Sequence, residues 1–177
     1  MNQDLMMSLV GKVIKIDRGG PESRVGMLLA AEDDYFVLFT KDDGVVYYKM
    51  QHIKSVTVDS KDSLSKELVL PENVEYYQGE DFMSVISNFR HSWVKVNRGG
   101  PERLEGILNE VEDDYVTVFS KHEVIHLAMF HIRNISSGVK DEEKEQEKEK
   151  EKEKEKEQEQ NTKGDNNSKS VRGKKKC

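Results

Sequence analysis

The pentapeptide RGGPE occurs twice in this chain, at residues 18–22 and again at residues 98–102. The similarity extends well beyond it. When residues 12–56 are aligned with residues 92–135, with one gap opposite Gly44, we count 18 identities in 44 aligned pairs. Similarity at a fixed period is the sequence signature of a fold built from repeated units. Any fold for this chain must therefore accommodate the same unit, and the same pentapeptide, twice.

The charge distribution separates these repeats from the C-terminal part of the chain. From residue 140 onward we count 13 Lys and Arg against 12 Asp and Glu, largely in a Glu/Lys-rich run, whereas the preceding residues hold 15 and 22. Such a run has too few apolar residues to offset the entropy of ordering, so we expect a disordered tail. The acidic repeats disfavour general nucleic-acid binding, which depends on neutralising phosphates.

Four segments follow from the repeat and from the composition. We predict a first repeat at residues 1–60, a linker at 61–78, a second repeat at 79–138 and the tail at 139–177. The linker contains Ser, Lys and Pro71, and we expect one short extended piece at residues 67–70. Below, "first repeat" and "second repeat" refer to these ranges.

Each repeat reads as a series of five short strands. In the first repeat they cover residues 12–17, 25–31, 35–40, 45–50 and 54–58. Residues 12–17 alternate with period two, which places Ile14 and Ile16 (Val94 and Val96 in the second repeat) on one face and Lys15 (Lys95) on the other. Tight turns join them, including a hairpin signal at Asp42-Asp43-Gly44. Five short strands in under fifty residues favour a small closed barrel of the Sm-like or SH3-like kind, because closure removes exposed sheet edges.

A short helix is predicted before each set of strands. Phe82, Val85, Ile86 and Phe89 recur at helical spacing, and acidic residues at 80 and 81 suit a first turn. Leu5, Met6 and Leu9 occupy the matching positions of the first repeat. The fold class is therefore mainly β: a tandem repeat of two five-stranded barrels, each preceded by a helix.

RGGPE itself has three readings: an RNA-binding arginine–glycine element, an anion-binding loop and a turn. RNA-binding RGG elements come in clusters, whereas each of these lies alone between two predicted strands. Proline removes one of the backbone N–H donors that an anion would need. We favour a turn that also serves as a contact surface, in which Arg and Glu could pair across the turn. The candidate residues are Arg18, Gly19, Gly20, Pro21, Glu22, Arg98, Gly99, Gly100, Pro101 and Glu102.

Other groups that could carry chemistry are few. An acidic cluster with a following tyrosine recurs; its residues are Asp33, Asp34, Tyr35, Asp113, Asp114 and Tyr115. It lacks the spaced oxygens and glycine of a calcium loop, so we interpret it as a polar turn, with a bound cation left open. His52 and His131 also recur, and one histidine per repeat is better explained by a bond to backbone than by a metal. We expect no catalytic residue, metal or cofactor.

The single cysteine, Cys177, excludes an internal disulfide framework and fits synthesis in a reducing compartment. It remains a candidate for cross-linking two chains. The N-terminus lacks a secretory signal, and no apolar stretch approaches the ~20 residues that span a bilayer. We therefore expect no membrane association.

Two family resemblances are visible. Each repeat resembles Sm-like proteins in a short motif, carried by Gly26, Leu28, Asp33, Tyr35, Tyr48, Lys49, Ile53, Ser55 and Val56. The second repeat departs from this pattern, with Leu127 and Ala128 in place of the Tyr-Lys pair. This resemblance implies an RNA-binding or regulatory protein.

The chain also resembles the spore coat protein B family of Bacillus over residues 4–138. The family pattern is a strand, RGGPE, a G-x-L step, an acidic turn with Tyr, and an H-I-K-S-V-like ending. The matching residues are Gly26, Leu28, Asp34, Tyr35, His52, Gly106, Leu108, Asp114, Tyr115 and His131.

That second resemblance implies a non-enzymatic structural protein of the endospore outer coat. Such a protein would be made in the mother-cell cytoplasm and then deposited on the spore. Its partners would be other coat proteins, with self-association as a further option and nucleic acid disfavoured. Phosphorylation of the tail is not implied, because this tail is rich in Glu and Lys rather than in Ser.

Overall fold

The structure, a computed structural model, describes residues 1–58 and 74–138. The predicted extended piece at 67–70, the tail and Cys177 lie outside the described residues. A short helix precedes each run of strands. The first-repeat elements are α1 (Gln3–Met7), β1 (Val13–Ile16), β2 (Arg24–Ala31), β3 (Tyr35–Thr40), β4 (Gly44–Lys49) and β5 (Val56–Val58). The second-repeat elements are α2 (Phe82–Ser87), β6 (Trp93–Val96), β7 (Leu104–Val111), β8 (Tyr115–Ser120), β9 (Glu123–Ala128) and β10 (Asn134–Ser137).

The alternation read from the sequence determines which face of β1 is buried. Ile14 and Ile16 are fully buried, and so are their counterparts Val94 and Val96 in β6. Lys95 departs from the expected outward position: it is buried, and its Nζ lies 3.5 Å from Oε2 of Glu105 on the neighbouring strand β7. A buried lysine needs such a partner, because an unpaired charge is costly to remove from water.

Two features recur at the same place in both repeats. A register shift interrupts the pairing of β2 with β3 between Leu28 and Ala30, and the pairing of β7 with β8 between Leu108 and Glu110. Such a bulge bends a strand and increases its twist. The second feature is a glycine two residues before each shift: a Cβ at Gly26 or Gly106 would lie 2.3 Å from the carbonyl oxygen of Phe39 or Phe119, respectively.

All ten strands belong to one antiparallel sheet, in the order β5-β1-β2-β3-β4-β10-β6-β7-β8-β9. Each repeat contributes its strands in the same internal order, with its fifth strand beside its first. The expectation of two separately closed barrels is not confirmed. Among the described residues, β4 pairs with β10 of the other repeat rather than with β5 of its own.

The buried side chains form two clusters, and only one of them stays within a repeat. The first cluster joins α1 to the inner face of β1–β4, around Met6, Ile14 and Phe36. The second belongs to α2 and β6–β10, but it also includes Tyr35, Val37 and Tyr47 from the first repeat. The two repeats therefore share part of their core as well as their sheet. No helix among the described residues is long and apolar enough to cross a membrane.

Candidate functional site: the contact between the two repeats

The two repeats meet along β4 and β10. Tyr48 lies opposite Asn134 and Tyr47 opposite Ile135 in an antiparallel register. The Lys49 backbone N–H extends the pairing by donating to the Arg133 carbonyl at 2.9 Å. Lys49 also donates from Nζ to the Met129 carbonyl at 2.8 Å. Because β10 pairs with β6 on its other side, both of its edges are occupied.

The two RGGPE turns lie against each other at one end of this strand pair. Gly99 faces the backbone of the first turn: a Cβ at this position would lie 1.9 Å from the Pro21 carbonyl oxygen. Gly99 has a φ of +85°, a left-handed value that favours glycine. Gly100 lies over the side chains of Arg133 and Glu22. The first glycine of the second turn is therefore fixed by contact as well as by backbone angle.

Each turn uses a different side in this contact. The first turn presents its Pro-Glu side: Glu22 forms an ion pair with Arg133 of the second repeat and a longer one, at 3.4 Å, with Lys54 of its own. The hydrogen bond from Arg133 lowers the pKa of Glu22 below its ordinary value of 4.5; burial opposes this shift, and Lys54 adds to it.

The second turn presents its Arg-Gly-Gly side. Arg98 is buried and forms an ion pair with Asp43 of the first repeat. Its Nε donates to Ser136 Oγ at 2.8 Å, and its backbone N–H donates to Asn134 Oδ1 at 3.0 Å. Burial lowers the pKa of Arg98 to about 10, so the guanidinium keeps its charge at neutral pH. A buried arginine needs such partners for its donors.

The sides that this contact does not use are exposed. Arg18 and Gly19 of the first turn are exposed, as are Pro101 and Glu102 of the second, and no described residue pairs with Arg18 or Glu102. The expected pairing of Arg with Glu across each turn is therefore wrong. The ion pairs link the repeats instead, because the arginine of one turn and the glutamate of the other face residues across the contact.

The residue before each RGGPE was missed by the sequence analysis. Asp17 and Asn97 have φ values of 51° and 53°, in the left-handed region that Asp and Asn tolerate. Asp17 Oδ1 accepts from the Lys54 and Ser55 N–H groups. Asn97 Oδ1 accepts from the Arg133 N–H at 2.7 Å. Both residues thus tie the turn to the segment that leads into the last strand. The available signal was the recurrence of Asp or Asn at this position.

A second part of the contact is aromatic. The hydroxyl of Tyr35 lies 2.9 Å from the Gly79 carbonyl oxygen, to which it donates. The Tyr47 hydroxyl accepts from the Tyr77 N–H at 2.6 Å, and the Tyr47 ring meets that of Phe89 edge to face at 5.4 Å. Burial raises the pKa of Tyr47 to about 12. These side chains occupy the outer face of β3 and β4, which the segment leading into α2 covers.

The acidic turns also differ in use. Both Asp34 carboxylate oxygens accept from the Phe82 N–H, at 3.0 and 3.1 Å, which links the first acidic turn to the start of α2. Burial raises the pKa of Asp34. Asp33, Asp113 and Asp114 make no comparable side-chain contact among the described residues. No group of three or more His, Cys, Asp or Glu side chains within residues 1–58 and 74–138 could hold a metal ion.

The repeated histidines take part in backbone bonding. His52 Nε2 lies 2.7 Å from the Phe130 carbonyl oxygen, across the contact between the repeats. Burial lowers the pKa of His52, although the bond to the Phe130 carbonyl opposes this shift. The His131 carbonyl accepts from Asn97 Nδ2 at 2.9 Å. The His52 ring thus bonds backbone as expected, whereas at His131 the main-chain carbonyl, rather than the ring, takes part in the bond.

Comparison with known proteins identifies the family. Over 140 residues the chain is 39% identical to spore coat protein B of Bacillus subtilis (strain 168), a match that covers 79% of this chain. The chain belongs to the spore coat protein B family. It spans about a third of that relative's length, since the match covers 36% of it. No family model and no solved structure matches the chain.

The two RGGPE turns offer a matched test of the contact. Gly99→Ala should cost at least about 2 kcal/mol of unfolding free energy, because a left-handed alanine costs roughly 1–2 kcal/mol before the clash with Pro21 is counted. Gly20 of the first turn shares the φ of +85°, but nothing lies within 4 Å of its added Cβ, so Gly20→Ala should lose only the roughly 1–2 kcal/mol of a left-handed alanine. Chemical denaturation followed by Trp93 fluorescence measures both. Equal losses would contradict the contact.

Acid titration tests the ion pair of Glu22. A lowered folded pKa stabilises the fold above the unfolded value of 4.5, and this stabilisation is lost as pH falls through the folded pKa. Glu22→Gln should therefore be about 1–2 kcal/mol less stable than wild type at pH 7, with the difference vanishing in strong acid. The measurement is denaturant unfolding between pH 7 and pH 3.

The control is Glu102→Gln, the same change in the other turn. Glu102 is exposed and has no partner among the described residues, so in dilute solution this variant should follow wild type across the whole range. A Glu22→Gln difference that does not change with pH would contradict the account of this ion pair.

Proposed function

We propose that this chain is a structural, non-enzymatic component of the bacterial endospore coat that works through protein–protein contacts. Family membership with spore coat protein B is the observation that carries this proposal. The composition of the contact between the two repeats is consistent with this proposal. The two RGGPE turns are joined within the chain by ion pairs, backbone bonds and a close glycine contact, which are also the components of protein–protein interfaces.

Each repeat is proposed to be a small Sm-like or SH3-like barrel with its own covering helix. Two observations support this: the strand order within each repeat, with the fifth strand beside the first, and the bulge at the same point of the second strand. The proposed domain limits are those of the sequence analysis, 1–60 and 79–138, joined by a linker at 61–78 and followed by a disordered tail at 139–177.

The proposed location is the outer layer of the coat, after synthesis in the mother-cell cytoplasm, with other coat proteins as partners. A cross-link through Cys177 remains a prediction. The alternative of an Sm-like RNA-binding protein gains no support. The surface that the first turn uses faces the second repeat. The described residues carry more acidic than basic side chains. The two arginines of the contact, Arg98 and Arg133, are already paired with carboxylates.

The proposal is tested by following a fluorescent fusion of the full chain through sporulation in the native host. We expect fluorescence to form a ring on the developing spore and the protein to appear in the coat fraction extracted from mature spores with detergent and reductant. Free fluorescent protein, made from the same promoter, should stay diffuse. A fusion that stays diffuse, together with a coat fraction that lacks the protein, would overturn the proposal.

A further inference from the structure

The ten-stranded sheet ends, within residues 1–58 and 74–138, at β5 and β9. These two strands are the counterparts of β10 and β4, the pair that joins the repeats. Within those residues, each repeat leaves unused the edge strand that the other repeat uses, so the described sheet has one unused edge of each kind. Their side chains are open to solvent: Val58 is 44% exposed and Val124 is 60% exposed. Exposed edges of this kind are templates for adding another strand.

We propose that chains of this protein assemble head to tail, with β9 of one chain pairing with β5 of a second copy in the register that β4 and β10 use within a chain. Aligning the repeats places Leu127 opposite Ser55, and His126 opposite Val56, of the second copy. The bond from Lys49 to Arg133 becomes one from the Ala128 N–H to the Lys54 carbonyl. Unlike ends meet, so the contact does not close on itself as a two-fold dimer does.

The charges at the unused sides of the RGGPE turns are complementary in this arrangement. The pair between Glu22 and Arg133 has its counterpart in Glu102 of one chain and Lys54 of the next. The pair between Asp43 and Arg98 has its counterpart in Glu123 of one chain and Arg18 of the next. All four of these residues are exposed. In both counterpart pairs a carboxylate again faces a cation. Of the four residues, Lys54 alone has an ion-pair partner among the described residues, namely Glu22 of its own chain at 3.4 Å.

The helices give a second, independent observation. Leu5 in α1 is 48% exposed, whereas Val85, at the matching position of α2, is fully buried. Val85 belongs to the cluster that includes Tyr35, Val37 and Tyr47 of the preceding repeat. In head-to-tail assembly, α1 of the second copy would lie on the matching outer face of β8 and β9, and Leu5 would be covered.

The contact between chains should be weaker than the contact within a chain. Thr117 and His126 stand where Val37 and Tyr47 provide apolar area. Ala128 replaces Lys49, which removes the side-chain bond to the facing carbonyl. We therefore expect assembly that depends on concentration.

This inference names a partner for the contact surface, and its biological meaning rests on the proposed coat function. The head-to-tail contact and the coat function can each be wrong without the other. A chain that reaches the coat but stays monomeric in solution overturns the head-to-tail contact alone. A chain that assembles in solution but never reaches the spore overturns the coat function alone.

The first experiment uses a proline to block one edge. Ala128 has a φ of −60°, which a proline ring adopts without strain, and it lies beside the edge where its N–H would donate to the second copy. Ala128→Pro should weaken assembly at least about tenfold, the equivalent of one lost hydrogen bond. Ala128→Ser keeps the N–H and should assemble like the parent. Analytical ultracentrifugation of full-length chains, all carrying Cys177→Ser, measures association without disulfides.

Mixing then tests the direction of the contact. Labelled Ala128→Pro chains keep an intact β5 edge, so they should bind the β9 edge of unmodified chains and end the assembly there, without associating among themselves. A symmetric β9–β9 dimer predicts no such binding. Its absence would overturn the proposal, as would an Ala128→Pro variant that assembles like the parent.

Charge reversal tests the register. Arg18→Glu alone and Glu123→Arg alone should each weaken association at least about tenfold, because like charges then face each other. The double variant should regain the parent's association, since the pair is restored with its signs exchanged. A double variant as weak as the singles would contradict the register. A parent chain that stays monomeric up to about 1 mM overturns the proposal, including the case in which residues 59–73 or 139–177 cover the edge.

Discussion

Strand β10 is paired on both edges, to β6 of its own repeat and to β4 of the other, and the arrangement of the two repeats depends on this. A lone β4 would expose a row of unpaired backbone groups with two tyrosines beside it. Pairing with β10 satisfies the backbone and brings the outer face of β3 and β4 against α2, which buries Val37 and Tyr47 in a shared cluster. One strand pair thus accounts for both the continuous sheet and the shared core.

The duplicated pentapeptide has a clear physical role in this arrangement. Each RGGPE turn has an Arg-Gly-Gly side and a Pro-Glu side, and within one chain only one side of each turn is used. The close approach of Gly99 to Pro21 requires a residue without a Cβ, and the ion pairs of Glu22 and Arg98 fix the partner. Both sides of each turn would be used only in the head-to-tail assembly proposed above.

Much of the local structure was predictable from the sequence, whereas the joining of the repeats was not. Period-two alternation located β1 and β6, helical spacing located α2, and turn residues separated the other strands. Lys95 was misplaced because a charged residue in an alternating strand reads as exposed unless its partner, Glu105 on β7, is known. The ion pairs of Asp43 with Arg98 and of Glu22 with Arg133 depend on the pairing of β4 with β10, whose residues lie more than eighty positions apart, and no local pattern encodes that pairing.

The central claim is that β4 is bonded to β10, and amide hydrogen exchange at two matched positions tests it most directly. In dilute solution the Lys49 amide, which donates to the Arg133 carbonyl, should exchange at least about a thousandfold more slowly than the Ala128 amide, its counterpart at the sheet edge. Slow exchange at Lys49 with fast exchange at Ala128 is the predicted result. Equally fast exchange at both amides would contradict the account.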